Sequence, residues 1–242
     1  MHIHIPKPLH GWREFFGEVA VIVLGVLIAL TAEQIVERWH WREQVQEFRT
    51  AVDNEIGYDL SIYQFRLQQG PCVKRRLREL EQWLDASSVG KSSKLARQIS
   101  LPMRLSPRIG AWGGRSGDIS NHIPIDERLA YGAFYDNLAN FEDHALEERG
   151  IFRDLAAFNR TSELLREDQM KLGMLIDRER VLDSTIDLNY KYSTNAAGKL
   201  GVHSKPDPAD PVPDDSLCAS VLPASGQNLP LGAHGITAVG AH

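Results

Sequence analysis

The chain has 242 residues, 43% of them hydrophobic and 24% charged, a composition that suits one sizeable folded domain with additional segments. Its net charge of −5 lacks the basic excess that a phosphate-binding surface needs, so nucleic acid is not an expected partner. Cys72 and Cys218 are the two cysteines, too few for a disulfide scaffold and wrongly spaced for a zinc knuckle.

The first 14 residues form a short arm. From Val19 to Ala32 the sequence carries no charge and only Thr31 as a polar side chain. Extended to residues 15–35, this stretch reaches the ~20 residues that cross a hydrocarbon layer. Glu18 and Glu33 lie close to its ends, where a carboxylate can reach the headgroups. Trp12 on one side, and Trp39 and Trp41 on the other, stand where aromatic belts form. A buried core helix would show a polar face over this length, and a signal peptide would end in a small-residue cleavage site. Thr31-Ala32-Glu33 is a poor cleavage site, so an uncleaved transmembrane helix is predicted. Lys7 and Arg13 precede the span and Arg38, Arg42 and Arg49 follow it, so basic residues do not decide its orientation. Its placement near the N-terminus is that of a signal-anchor, which exports the bulk of the chain. Gly17, Val21, Gly25 and Ala29, each four apart, form a stripe through which a second helix could approach closely in lipid.

Residues 36–202 are predicted as a helical soluble domain. Trp41, Val45, Phe48, Val52, Ile56, Leu60, Tyr63 and Leu67 recur at intervals of three or four, the stripe of an amphipathic helix. Continuous from Phe15, this helix would run for about 80 Å at 1.5 Å per residue, with Gly57 a place for a bend and Gly70-Pro71 its end. Pro71 suits the first turn of a second helix carrying Val73, Leu77, Leu80 and Leu84. A loop is expected over Ser87–Ser93, residues 95–109 stay undecided, and a turn is expected at Ser116-Gly117-Asp118. Three further helices are predicted, over 124–141, 147–171 and 177–196. No alternating pattern argues for a sheet. The expected fold class is all-α and bundle-like.

From His203 the composition changes: six prolines fall between Pro206 and Pro230 among Ala, Gly, Ser and Asp. Residues 203–242 are therefore predicted as a flexible tail. Cys218 within it either pairs with Cys72, pinning the tail in an oxidising compartment, or is a separate thiol.

Chemistry-bearing motifs are weak. His2, His4 and His10 sit on a short arm without the fixed geometry of a metal site. His144 with Asp143, Glu147 and Glu148 reads as a solvated charged face. Gly113-Gly114-Arg115-Ser116-Gly117 lacks nucleophile-elbow spacing, and no phosphate-cradling loop is present. Tyr190-Lys191-Tyr192 is an aromatic-basic patch that suits core or interface packing. No catalytic residue, metal ligand or cofactor is expected. Were the chain an envelope enzyme, a pocket around His122, His144 or Tyr190 would be its signature.

Glu14-Phe15-Phe16-Gly17-Glu18 with the VAVIVLGVLIAL run after it resembles the N-terminus of a family of uncharacterised single-span bacterial membrane proteins. Ala111-Trp112, Ser116-Gly117-Asp118-Ile119, Tyr131 and Phe134-Tyr135 are similar to that family's later landmarks. The likeness covers residues 12–45 and 108–140, and the aspartate- and proline-rich tail departs from it. It implies a single-span membrane topology and an α-helical domain, and it transfers no catalytic residue; with the signal-anchor placement, the expected location is the bacterial inner membrane with the domain in the periplasm. The expected role is a membrane-anchored interaction, sensory or accessory module. Its expected partners are membrane lipid and either a protein or a second copy, met through the span and the helix after it.

Overall fold

The computed structural model describes residues 11–91, 93–115, 117–213 and 215–223. It contains α1 (Gly11–Ser88), α2 (Gly110–Gly113), α3 (Gly117–Asn121), α4 (Ile125–Ala156), a 3₁₀ turn at Ala157–Arg160, and α5 (Arg166–Lys199). The fold is all-helical, with no strand among the described residues. α1 is the one helix among them long and apolar enough by length and composition to cross a membrane. Its apolar stretch is uncovered: Val21, Ile22, Ile28 and Val36 are all more than 60% exposed.

The described residues divide into two compact units, one within Met1–Glu55 and Ile109–Leu129, the other within Ile56–Arg108 and Ala130–His242. In the first, Val45, Phe48 and Val52 of α1 are buried together with Ile123. The Phe48 ring lies 6.5 Å from that of Trp112. Glu55 accepts the backbone N–H of Ala111 at 2.8 Å and of Trp112 at 3.2 Å, supplying acceptors for the otherwise orphaned donors that start α2. Arg49 grips Glu127 through two hydrogen bonds of 2.6 and 2.7 Å, the forked geometry at which guanidinium and carboxylate pair best.

In the second unit α1, α4 and α5 share one core. Ile56, Leu60 and Tyr63 of α1, Phe134, Leu138 and Phe141 of α4, and Leu172, Ile176 and Ile186 of α5 are almost fully buried. The Tyr63 ring lies 4.1 Å from that of Phe141. Its hydroxyl donates to the Asn137 carbonyl at 3.1 Å and accepts from Ser193 at 2.8 Å, so one phenol satisfies groups on two other helices. Residues 95–109, undecided from sequence, form no helix. They are held by side chains of the helices and of the 3₁₀ turn. Gln69 clamps both the N–H and C=O of Met103 at 2.8 and 2.9 Å, Asn159 accepts the Ile99 N–H, and Asp59 accepts that of Arg108.

Three expectations are corrected. Gly70-Pro71 does not end α1, which runs on to Ser88 with Pro71 inside it. A mid-helix proline costs about 3 kcal/mol, and the buried side chains beyond it (Val73, Leu77, Leu80 and Trp83) offset that at about 1.5–3 kcal/mol each. Gly57 lies inside α1. A Cβ there would come within 3.0 Å of the His203 carbonyl oxygen, and its own carbonyl accepts the Lys205 N–H at 2.7 Å, so the glycine makes room for another segment. The helices expected at 124–141, 147–171 and 177–196 are redistributed into α4 and α5. Residues 142–146 hold no breaker, whereas the break falls after Phe158, whose ring is buried. Finally, residues 203–213 and 215–223 of the expected flexible tail are tied to α1 by hydrogen bonds and by the Cys72–Cys218 bridge; residues 224–242 lie outside the described residues.

Pro71 is exposed, so its ring contributes little packing while denying α1 a hydrogen bond. Pro71→Ala is expected to raise stability by about 1–2 kcal/mol, the restored helical bond being partly cancelled by a more flexible unfolded chain. A urea midpoint equal to or below that of the wild type would contradict this account of α1.

Candidate functional site

Charged side chains rarely lie inside a helical core unless paired. In the second unit Arg66 of α1, Glu148 of α4, and Glu179 and Asp183 of α5 are all at least 96% buried. Their positions follow the apolar register: Glu148 continues the buried series Phe141, Ala145, Ile151, Phe152, and Glu179 and Asp183 interrupt Leu172, Ile176, Leu182 and Ile186. Arg66 donates through Nε to both Glu148 oxygens at 2.9 Å and through Nη2 to Asp183 at 2.9 Å. Lys74, half exposed, reaches Asp183 and Asp187 at 3.4 Å each. Burial alone would pull the Arg66 pKa down, but the charges and hydrogen bonds of Glu148 and Asp183 more than offset it and raise it. Lys74 is raised chiefly by Asp183.

Glu179 is the exception in this network. Neither of its oxygens meets a donor. Burial first, and then the neighbouring charge of Glu148, push its pKa up to about 10. Two facing carboxylates have no hydrogen to share; one proton on Glu179 supplies a donor toward Glu148 and lets Arg66 and Lys74 balance Glu148 and Asp183. A cavity of about 20 Å³ beside Arg66 and Glu148 holds about one water. The arrangement thus has the character of an internal electrostatic brace.

The second assembly of polar groups holds the segment after Val202 along α1. Cys72 and Cys218 are joined, with Cα atoms 4.6 Å apart and a sequence separation of 146. Around the bridge, the Arg76 guanidinium donates to the carbonyls of Leu217 and Ala219 at 2.9 and 2.8 Å. Burial lowers its pKa, with Glu79 partly opposing. Leu217 and Val221 are buried. At the other end Ser204 donates to Gln64, and Tyr58 donates to Asp210 beneath the Arg108 guanidinium, which lies 3.6 Å over its ring. Arg108 also pairs with Asp207 at 2.9 Å.

The histidines and tyrosine flagged from sequence belong to different units. His122 stacks on Trp41 in the first unit, ring centroids 4.3 Å apart. His144 and Tyr190 belong to the second unit, where Tyr190 accepts a hydrogen bond from Gln64 at 3.3 Å. Glu148, read from sequence as belonging to a solvated face, is a core residue. Gly17, Val21, Gly25 and Ala29 are exposed, and a Cβ added at Gly17 or Gly25 would meet nothing within 4 Å. His2, His4, His10 and Ser116 lie outside the described residues. No group of three metal-ligating side chains is present among the described residues. Sequence reasoning missed the Arg66 network; the available signal was acids and a base at core register positions of helices with otherwise apolar stripes.

Two outcomes test these readings. Between the ordinary glutamate pKa near 4.5 and about 10, the folded chain holds one proton more than the unfolded chain. Stability from this group is therefore fully present below the lower value and falls as pH rises, by at most about 1.4 kcal/mol per unit. Glu179→Gln keeps the shape and removes the titration, so its urea midpoint should gain on the wild type from about pH 5 to about pH 9; parallel curves would show that Glu179 ionises normally. Cys218→Ser should migrate differently from the wild type on a non-reducing gel and unfold with about 2–4 kcal/mol less stability, as expected for opening so long a loop. No family model matches the chain, and no curated protein or solved structure was found to be similar to it.

Proposed function

We propose that the chain is a single-span protein of the bacterial inner membrane whose helical, bundle-like domain works in the periplasm as an interaction, sensory or accessory module. The observation that carries this reading is α1 itself, one uninterrupted helix that holds both an exposed apolar stretch of membrane-spanning length and the core-forming residues Val45 to Trp83. Uncovered side chains such as Ile22 and Ile28 are costly in water and favourable in lipid. Trp12 and Trp39, 78% and 75% exposed, flank the stretch as interfacial anchors do. The cystine at Cys72 and Cys218 belongs in an oxidising compartment, which favours export of the domain. The likeness of the anchor to single-span bacterial membrane proteins points the same way.

An interaction role is favoured over catalysis because Arg66, Glu148 and Asp183, buried together in the domain, pair with one another. The partner is a second protein or a second copy of the chain, engaged through the span and the helix after it, with Gly17, Val21, Gly25 and Ala29 as the packing face in lipid. Two measurements on full-length protein test the reading. Alkaline carbonate should leave the protein in the membrane pellet, and a phosphatase fused after Pro223 should be active. Release into the supernatant removes the anchor, and a silent fusion reverses the orientation. Crosslinking in intact membranes then identifies the partner.

A further inference from the structure

Immediately beyond the apolar stretch, α1 separates its charges by face. At 100° per residue, Arg38, Arg42 and Arg49 fall within about 40° of one another, whereas Glu33, Glu37, Glu43 and Glu47 lie at least about 100° away from them. Val45 shares the arginine face, and Trp41 lies beside it, about 60° from Arg38. Opposite them stands His122, stacked on Trp41, so that these side chains enclose an open cleft of about 480 Å³. Arg49, at its far end, is already neutralised by Glu127. Arg38 and Arg42 are exposed and make no ion pair among the described residues, which leaves two positive charges beside an aromatic shelf.

The position of this cleft along α1 decides what it meets. The polar layer on each side of a bilayer is about 5–7 Å deep, from the difference between its full and hydrocarbon thickness. Counting from Ile35 at 1.5 Å per residue, Arg38 lies about 4.5 Å and Arg42 about 10.5 Å beyond the hydrocarbon. Side chains on a helix lean toward its N-terminus, so both guanidinium groups reach back toward the headgroups. Guanidinium forks suit phosphate oxygens, and an indole at this depth sits where tryptophans anchor. We propose that the cleft bounded by Arg38, Trp41, Arg42 and His122 binds the phosphate headgroup of an anionic phospholipid. This inference rests on the reading of residues 15–35 as a span.

The test uses full-length protein in vesicles of equal parts phosphatidylglycerol and phosphatidylcholine, with lipids that stay bound after gentle detergent extraction counted by native mass spectrometry. Phosphatidylglycerol should be retained in excess. Arg38→Gln and Arg42→Gln should each reduce that excess about fivefold, the factor for one basic side chain at a charged surface. Arg42→Lys should keep most of it, and the distant Lys191→Gln all of it. Unchanged helicity by circular dichroism in each variant ties the loss to the cleft. Equal retention of both lipids by the wild type, or an undiminished excess in the double glutamine variant, would overturn the proposal. So would displacement of the lipid by millimolar inorganic phosphate, which would make a free anion the ligand. Carbonate extraction of the same vesicles separates the two claims: protein that leaves the vesicles defeats the span and the headgroup site together, whereas protein that stays without lipid preference defeats the site alone.

Discussion

Arg66 is only 4% exposed, and the way it is paired governs the second unit. Removing a guanidinium from solvent costs several kcal/mol unless opposite charge meets it with good geometry. Here the geometry comes from two other helices, Glu148 on α4 and Asp183 on α5. Any sliding of α4 or α5 by one residue would strand a charge in the core, so the pairing sets their register in a way that interchangeable apolar contacts do not. Such a brace adds little net stability compared with a hydrophobic substitute. What it adds is discrimination among alternative packings, each of which would leave Arg66 unpaired.

Glu179 shows how finely this balance is drawn. Arg66 and Lys74 already face Glu148 and Asp183, so a further buried charge on Glu179 would leave the cluster with excess negative charge. The proton that burial and Glu148 keep on it thus belongs to the folded structure, as much a component of the core as the leucines around it. Tyr63 has a comparable role about one turn earlier on α1, where its hydroxyl joins α4 to α5 and burial raises its pKa.

Much of the architecture was legible in the sequence because periodicity reports burial. The stripe from Val45 to Tyr63 and the uncharged run from Val19 to Ala32 each specify one helix face or one solvent, and each appears in the structure as an element of α1. What failed was local chemistry overridden by tertiary packing. Pro71 is a strong helix breaker in isolation, yet Val73, Leu77, Leu80 and Trp83 continue the buried face beyond it. The proline-rich composition after His203 argued for a loose tail because composition cannot register contacts with distant residues such as Gly57, Cys72 and Arg76. The Arg66 network was hidden for a related reason: a lone arginine and three acids, scattered from 66 to 183, look like solvent-facing residues until helical register is weighed against charge.

The link between Cys72 and Cys218 has a mechanical consequence. A force applied through the apolar end of α1 and the chain after Cys218 passes from one sulfur to the other and bypasses the residues between. That separation of 146 positions, about 500 Å of contour if drawn out, is withheld from extension while the bond lasts. Tension can lengthen only the stretches outside the crosslink, so the greater share of the core gathered around Arg66 lies off the load path.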